Sequence, residues 1–541
     1  MNNVRQSRRA LLLLTMLSAA TLVQAQLPND SIVADFRCFV HQLETTHPDP
    51  YTNYGGKVYF HRAAAETVWD LEQDSVTNSE ELCWRIRAFL APLRDGHTQI
   101  YYPGRQSFDR LVPIRFKAAG DGVIVSRLPR EYQHLIGSRL MAIENIQTKV
   151  LGEEMLKLYP AENEIGKLAN ICTRGHQPVV LGRIIPNLRQ DTITYHLMSP
   201  EGKVVRLPLA LIPVEQWKEW YNVKPTLDHR FPTDNLAFAF VDKQKNTMYF
   251  RASSIMARDN IEYMRQTGMD FYDDLKYCYD NVFHQKMPTD TLEAISSMPS
   301  FSEEFEKMLL QMKHHQSENL IIDLRGNGGG WTPITLPTLY QLWGDDYLQK
   351  NFQNYFYRLV SPLYLQKINM TLEQFNAENH ADYEYGDYTF FESDEETQAV
   401  TDERRAQFVK SCMSSVKNKL AKQNGRPVYT PKQVYVLTDA NTFSAAFHYM
   451  FYLWKMGAKI VGVPSGQAPN TYMEVTHFSL PRTKLEGSIS NSMQLFLPAN
   501  DPNAKQVIPD ILITCDDYKR YHFDNQTEVL YLLDYIRSQV K

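Results

Sequence analysis

The chain has 541 residues, more than one hydrophobic core usually organises, so roughly two to four domains are expected. Hydrophobic residues make up 43% and charged residues 22%, the balance of a globular protein. The formal net charge of −5 supplies no basic surface, which sets nucleic acid aside as a partner.

At the start of the chain, Arg5, Arg8 and Arg9 form a basic region and residues 10–22 an apolar one. Val23-Gln24-Ala25 then fits the small-x-small cleavage rule. Residues 1–25 are therefore read as a signal peptide cut after Ala25, which gives a periplasmic or secreted destination. The other reading, a retained anchor, is disfavoured because the apolar run is short for a bilayer. No other stretch reaches spanning length, so no stable membrane span is expected. Cys38, Cys83, Cys172, Cys278, Cys412 and Cys515 contain no CxxC pair and specify no disulfide pattern, so they read as small buried hydrophobes.

A helical N-terminal domain is expected over 26–100. Ile32, Phe36, Phe39 and Val40 recur at helical spacing before the break His47-Pro48-Asp49-Pro50. Further helices fit Tyr59–Leu71 and Ser79–Leu93, the latter with Ser79 as its N-cap. After Gly96 the pattern turns β-prone. Thr98–Tyr102, Val112–Phe116, Gly122–Leu128 and Leu140–Asn145 read as strands, and Val150–Tyr159 as a helix. Thr192–Leu197 and Val204–Leu207 read as a hairpin that Pro208 ends. Over 105–215 this suits a small β-rich domain, PDZ-like in layout, although any small β-barrel shares the pattern.

Residues 235–541 read as α/β. Ala237–Val241, Met248–Phe250, Asn319–Leu324, Gln433–Leu437 and Lys459–Val463 are strand candidates. Phe301–Lys313 and Ala445–Trp454 are helix candidates. The unbroken apolar runs are those of parallel strands covered on both faces. Residues 345–430, rich in Tyr, Phe and acidic side chains, interrupt this rhythm. They read as a mostly helical insertion, either a cap over an active site or a purely structural addition.

Three segments carry chemistry. Ile321-Ile322-Asp323-Leu324-Arg325-Gly326-Asn327-Gly328-Gly329-Gly330 takes a buried strand into a glycine loop whose amides can face an anion. It lacks the Gly-Lys-Ser/Thr of a phosphate loop and the spacing of GxGxxG. Val434–Leu437 then runs through Thr438-Asp439-Ala440-Asn441-Thr442-Phe443 to Ser444, at the start of a helix. A serine there is either an N-cap or a nucleophile at the positive end of the helix dipole. The third segment, Leu93-Arg94-Asp95-Gly96-His97-Thr98, offers a histidine, either structural or a general base.

In this order the three segments resemble peptidase family S41, the group of tail-specific (C-terminal processing) and tricorn-core-like proteases that also includes retinoid-binding repeats. Val507-Ile508-Pro509-Asp510 is similar to a further family feature. The resemblance is strongest over 235–541 and loosest over 105–215. It implies a ClpP/crotonase-like α/β catalytic domain, with Ser444 as nucleophile and an oxyanion hole from the N–H groups of Ala445 and Gly329. Tail-specific proteases take a lysine downstream of the serine as base. Here 462–470 contains no lysine, Lys459 falls too early and Lys484 too late. The tricorn-like branch uses histidine, and His97 matches it. The resemblance also implies an acidic orienter, for which Glu474 is the candidate, against its reading as an exposed strand carboxylate. No cofactor is implied. No metal site is expected either, since HExxH is lacking and His314-His315 are adjacent.

The expected activity is that of an exported serine-type endopeptidase or carboxy-terminal processing peptidase. It would act on a peptide or protein through an acyl-enzyme on Ser444. The alternative is a non-catalytic apolar-ligand-binding protein on the same fold, its pocket supplied by Phe352, Tyr355, Phe356 and Tyr357. A scaffold working through the PDZ-like module is a third reading.

Overall fold

Asn319–Asp323, Gln433–Thr438 and Lys459–Gly462 are apolar on both faces and pair in parallel, as strands covered by helices on each side do. The structure, a computed structural model, describes residues 29–73, 78–101, 110–188, 191–213, 220–221, 231–350, 352, 354–392 and 399–539. The expected signal peptide and Tyr102 lie outside them. The three strands form the middle of a six-stranded sheet. Phe238–Phe240 and Thr247–Arg251 extend it on one side and Ile511–Leu512 on the other, and only the first pair is antiparallel.

Alternation along these strands makes two cores. Leu320, Ile322, Val434 and Val436 pack toward the helices Phe301–His315 and Ala445–Lys455. Ile321, Tyr435, Leu437 and Val461 meet Val529, Leu532, Leu533 and Ile536 of the last helix, Thr527–Gln539. Asp323 pairs with Leu437, so the two strands end level. The glycine loop and the turn before Ser444 therefore leave the sheet side by side, at the carboxyl ends of strands where α/β folds build their sites.

A second, antiparallel sheet stands beside the first. Glu486–Leu495 pairs with Thr471–Ser479 along one edge, and with Gln99–Ile100 and Tyr355–Leu359 along the other; Tyr388–Glu392 closes it. The expected helical insertion over 345–430 also contributes strands. Its helices, such as Leu372–Asn379 and Asp402–Ser411, carry two strands that complete this sheet, because Tyr355–Leu359 finds open edge partners in Glu486–Leu495.

The N-terminal helices are Asn29–Thr46, Lys57–Gln73 and Ser79–Leu90, followed by a 3₁₀ turn, Ala91–Leu93. Asn78, not Ser79, caps the third, its side chain accepting from the Glu81 N–H at 2.8 Å. The β-rich module contains Arg115–Ala119, Gly122–Pro129, Arg139–Ile143, Thr192–Met198 and Val204–Ala210. Pro208 does not end its strand: Thr194 pairs with Pro208, and the strand runs on to Ala210. It lies at the sheet edge, where a missing N–H leaves no partner unsatisfied. The helices Glu164–Arg174 and Pro178–Ile184 of this module were not foreseen. All six cysteines are free. No helix among the described residues is long and apolar enough to cross a membrane.

Candidate active site

Ser444 occupies the N-cap position of the helix Ala445–Lys455 but does not act as a cap. Its φ of 55° and ψ of −126° lie outside the extended region of an ordinary cap, and its side chain makes no capping bond. A non-glycine residue in such a conformation is strained and persists only where its surroundings fix it. The same sharp strand-to-helix turn presents nucleophilic serines on other α/β sheets.

The surroundings are the glycine loop and a third segment, 463–468. The Phe443 N–H donates to the Asn327 carbonyl at 2.9 Å, Thr442 Oγ1 to the Leu324 carbonyl at 3.0 Å, and the Gly326 N–H to Asp439 Oδ1 at 2.9 Å. Ser465 Oγ donates to the Thr442 carbonyl, and the Gly466 N–H to the Ala440 carbonyl at 3.1 Å. Fully buried Gln467 accepts the Ser444 N–H on Oε1. Gln467 carried no signal in the sequence, since a lone glutamine after a strand belongs to no recognised motif.

Gly329 presses against the serine. At its φ of 112°, a Cβ would lie 2.6 Å from Ser444 Cβ and 3.0 Å from the Ala445 nitrogen. Only glycine fits there. The Gly329 N–H donates to Asn327 Oδ1 at 2.9 Å, while the neighbouring Gly328 is exposed, and a Cβ on it would meet nothing within 4 Å. The Ala445 N–H belongs to the first helical turn, where amides have no intrahelical acceptor.

His97 reaches this turn from the far end of the chain. Gln99–Ile100 pairs with Glu486–Leu495, Ser488 Oγ donates to the His97 carbonyl at 2.8 Å, and the Ser490 N–H donates to Thr98 Oγ1 at 2.9 Å. The imidazole packs on the ring of Phe443, the residue before Ser444, with centroids 4.9 Å apart. Its side chain is only 10% exposed, and neither ring nitrogen makes a hydrogen bond of good geometry among the described residues. Burial lowers its pKa below the ordinary imidazole value, against the opposing pull of Asp95 and the Tyr472 main chain. The ring is therefore neutral, ready to accept a proton. His448, on the same helix as Ala445, differs: Thr332 Oγ1 at 2.8 Å and Gln494 Oε1 at 2.7 Å engage both its nitrogens.

The carboxylates around His97 are Asp95 and Glu162. Asp95 Oδ1 accepts the His97 N–H at 2.8 Å and lies 4.0 Å from Nδ1, and its Oδ2 stands 3.3 Å from His47 Nε2. Burial raises the Asp95 pKa, but His47, His97 and Thr98 outweigh it and hold the carboxyl below its usual range. Donor atoms of Asp95, His97 and Glu162 all lie within 4.8 Å of one another. Glu474, the sequence candidate for the acidic orienter, is engaged by other partners. It adopts a φ of 55° and binds Arg358 Nη2 and, at 2.9 Å, Ser492 Oγ. With Arg358, Tyr364 and Phe375 it lines a separate hollow of about 810 Å³ under the insertion.

The site opens into two clefts that share the glycine loop. One, of about 370 Å³, is lined by Gly96, Glu162, Gly326, Gly328 and Phe443. The other, of about 880 Å³, is lined by Gly328, Gly329, Gly330, Ser254, Asp274 and His284.

Residues 294–513 match the model of Peptidase family S41. No curated protein matches the chain. Among solved structures, mature CPAF complexed with lactacystin is similar at 13% identity and a TM-score of 0.55, over 95% of this chain and 98% of that one. Mature CPAF alone gives 13% identity and a TM-score of 0.54, over 93% and 98%. At these identities the likeness is one of fold, and it extends over all the domains described above.

Proposed function

The chain carries a peptidase family S41 domain, and we propose that it is an exported serine-type peptidase in which Ser444 is the nucleophile and His97 the general base. The observation that carries this reading is the strained, non-capping Ser444 wedged between Gly329 and the Phe443–His97 ring contact. Neutral His97 takes the hydroxyl proton as Ser444 Oγ attacks a peptide carbonyl. The His97 ring nitrogens make no hydrogen bond of good geometry among the described residues, and catalytic hydrogen bonds often tighten only when substrate binds. The tetrahedral oxyanion is stabilised by the Ala445 N–H and a glycine-loop amide, either Gly329 on release from Asn327 Oδ1 or its exposed neighbour Gly328; one such donor contributes roughly 3 kcal/mol. His97 then protonates the leaving amine, and water releases the acyl group from Ser444. Asp95, against the imidazole, takes the orienting role for which Glu474 was the sequence candidate.

The β-rich module would receive an extended peptide by strand addition, PDZ-fashion, which favours carboxy-terminal processing over internal cleavage. The N-terminal signal-like segment supports a periplasmic or secreted site of action. An apolar-ligand-binding protein on this fold is less favoured, because the hollow beside the insertion aromatics contains the charged pair Arg358 and Glu474.

The test is fluorophosphonate labelling of the full chain. Wild type is expected to label on Ser444, Ser444→Ala to lose labelling outright, and His97→Ala to slow it by about 10⁴-fold or more. Equal labelling of wild type and Ser444→Ala would sink the assignment.

A further inference from the structure

Glu162, in the β-rich module, has no place in the chemistry just described, yet its two oxygens bind the two segments that chemistry needs. Oε1 accepts the Gly96 N–H at 3.2 Å, and Oε2 the Ala468 N–H at 2.8 Å. Gly96 immediately precedes His97. Ala468 follows Gln467, whose side chain accepts the Ser444 N–H. One carboxylate thus ties the base segment to the cradle of the nucleophile.

Its neighbours press the same joint. Asn163 caps the helix Glu164–Arg174 through Oδ1, which accepts the Gly166 N–H at 2.9 Å, and its Nδ2 donates to the Ser465 carbonyl at 3.0 Å. Gly166 packs on Gly466 so closely that a Cβ on it would stand 3.3 Å from the Gly466 carbonyl. Ile165 and Ala118 share an apolar cluster with Ala440 and Val463. The β-rich module is therefore seated on the loops of the catalytic centre, and Glu162 is the point where the seat touches both halves.

Resting on the hydrolase reading, we propose that Glu162 is a positioning residue: it holds the His97 turn and the Ser444 cradle in register and makes the competence of the site depend on the seating of the β-rich module.

A carboxylate offers a fully charged acceptor to each amide, whereas a protonated acid weakens one of the two bonds. Burial and nearby Asp95 raise the Glu162 pKa to about 8, against the lowering effect of the Ala468, Thr471 and Gly96 contacts. The charged and titratable groups facing it are Asp95 and His97 from the turn after the third helix, with Arg87 from that helix and Arg174 from the helix Glu164–Arg174 in the same cleft. Ionisation tightens the tether, so activity rises as pH passes through about 8. Stability moves oppositely. Between the ordinary 4.5 and about 8 the folded chain keeps a proton that the unfolded chain has lost, so stability falls as pH rises through that window.

The experiment compares wild type, Glu162→Gln and Glu162→Asp as full chains. The readouts are fluorophosphonate labelling rate against pH, thermal melting, and hydrogen exchange of residues 94–98 and 465–471. Glu162→Gln turns an N–H₂ toward one of the two amides. It is expected to label roughly 10- to 100-fold more slowly, to lose the rise near pH 8, to melt cooperatively, and to exchange faster in both segments. Glu162→Asp keeps two acceptors and recovers part of the rate. A labelled wild type with Glu162→Gln matching it in rate, pH profile and exchange overturns this inference alone. A wild type that never labels defeats the hydrolase reading and this inference together.

Discussion

The two halves of the site are built in different ways. The nucleophile half is local: two parallel strands end level, and the loops that leave them are joined by bonds from Phe443, Thr442 and Gly326 within one domain. The base half is assembled from distant pieces. His97 is held by Glu486–Leu495 beneath it, by Phe443 at its face, by His47 through Asp95, and by the Glu162 tether. A half contained in one sheet depends on its foundations and its glycine. A half borrowed from several domains fails by small, separable steps.

The largest effect should come from the foundation of the nucleophile half. Arg325, where the glycine loop begins, donates from Nη1 to Glu528 Oε2 at 2.7 Å and from Nη2 to Asp323 Oδ2 at 2.7 Å, and Lys117 Nζ donates to Glu528 Oε1 at 2.7 Å. Glu528 is fully buried. Glu528→Ala removes the carboxylate shared by Lys117 and buried Arg325, leaving Arg325 with Asp323 and Gln526, and is expected to cost about 3–5 kcal/mol of stability, read by denaturant unfolding. Burial raises the Glu528 pKa, but Lys117 and Arg325 outweigh this and bring it down to about 2 from the ordinary 4.5. Its contribution is therefore complete above 4.5 and is lost as pH falls toward about 2. Wild type should lose stability steeply through that window, and the variant less so. A variant as stable as wild type at neutral pH would show that the loop does not rest on this network.

Next in size is the contrast between two adjacent glycines. Gly329→Ala drives a methyl into Ser444 Cβ at a φ that alanine resists, whereas Gly328→Ala meets nothing within 4 Å. Displacing the nucleophile by a fraction of an ångström should slow labelling on the order of 10²-fold. Gly328→Ala, which keeps its N–H and meets no neighbour, should stay close to wild type in rate and melting, whereas Gly329→Ala should also melt lower. Loss in Gly328→Ala with Gly329→Ala unaffected would reverse the assignment of the crowded glycine.

The same division decides what the sequence could show. Short continuous signals carried the nucleophile half: an apolar strand opening into glycines, and a strand running into a serine before a helix. The parallel sheet followed from unbroken apolar runs. The base half was visible only as a six-residue motif containing His97, and its supports were not. Glu162 follows Pro160-Ala161 in a stretch without periodicity, and only tertiary docking brings it to Gly96. Glu474 was a candidate acidic orienter, but it binds Arg358, because Tyr355–Leu359 joins the second sheet beside it. That pairing was illegible for the same reason. Strand partners more than a hundred residues apart leave no local trace, and aromatic-rich segments read equally well as helix or edge strand.

The smallest effect belongs to the base half. Thr98 is 1% exposed, and its Oγ1 accepts the Ser490 N–H at 2.9 Å while its side chain also helps hold Asp95 ionised. Thr98→Val keeps the shape and removes the oxygen, leaving a buried strand amide unsatisfied, at an expected cost of about 1–3 kcal/mol. Because Gln99–Ile100 still pairs with Glu486–Leu495, the His97 turn should loosen rather than detach, and labelling should slow by less than in Gly329→Ala. Asp95 also loses a stabilising contact, so its carboxyl should titrate at a higher pH, bringing protonation closer to the range where His97 works. Labelling in the variant should therefore begin to fall at a higher pH than in wild type as the solution is acidified. An unchanged acid limb, with stability lowered as expected, would mean that Thr98 supports the strand but not the Asp95–His97 pair, and that the base half has one support fewer than its geometry suggests.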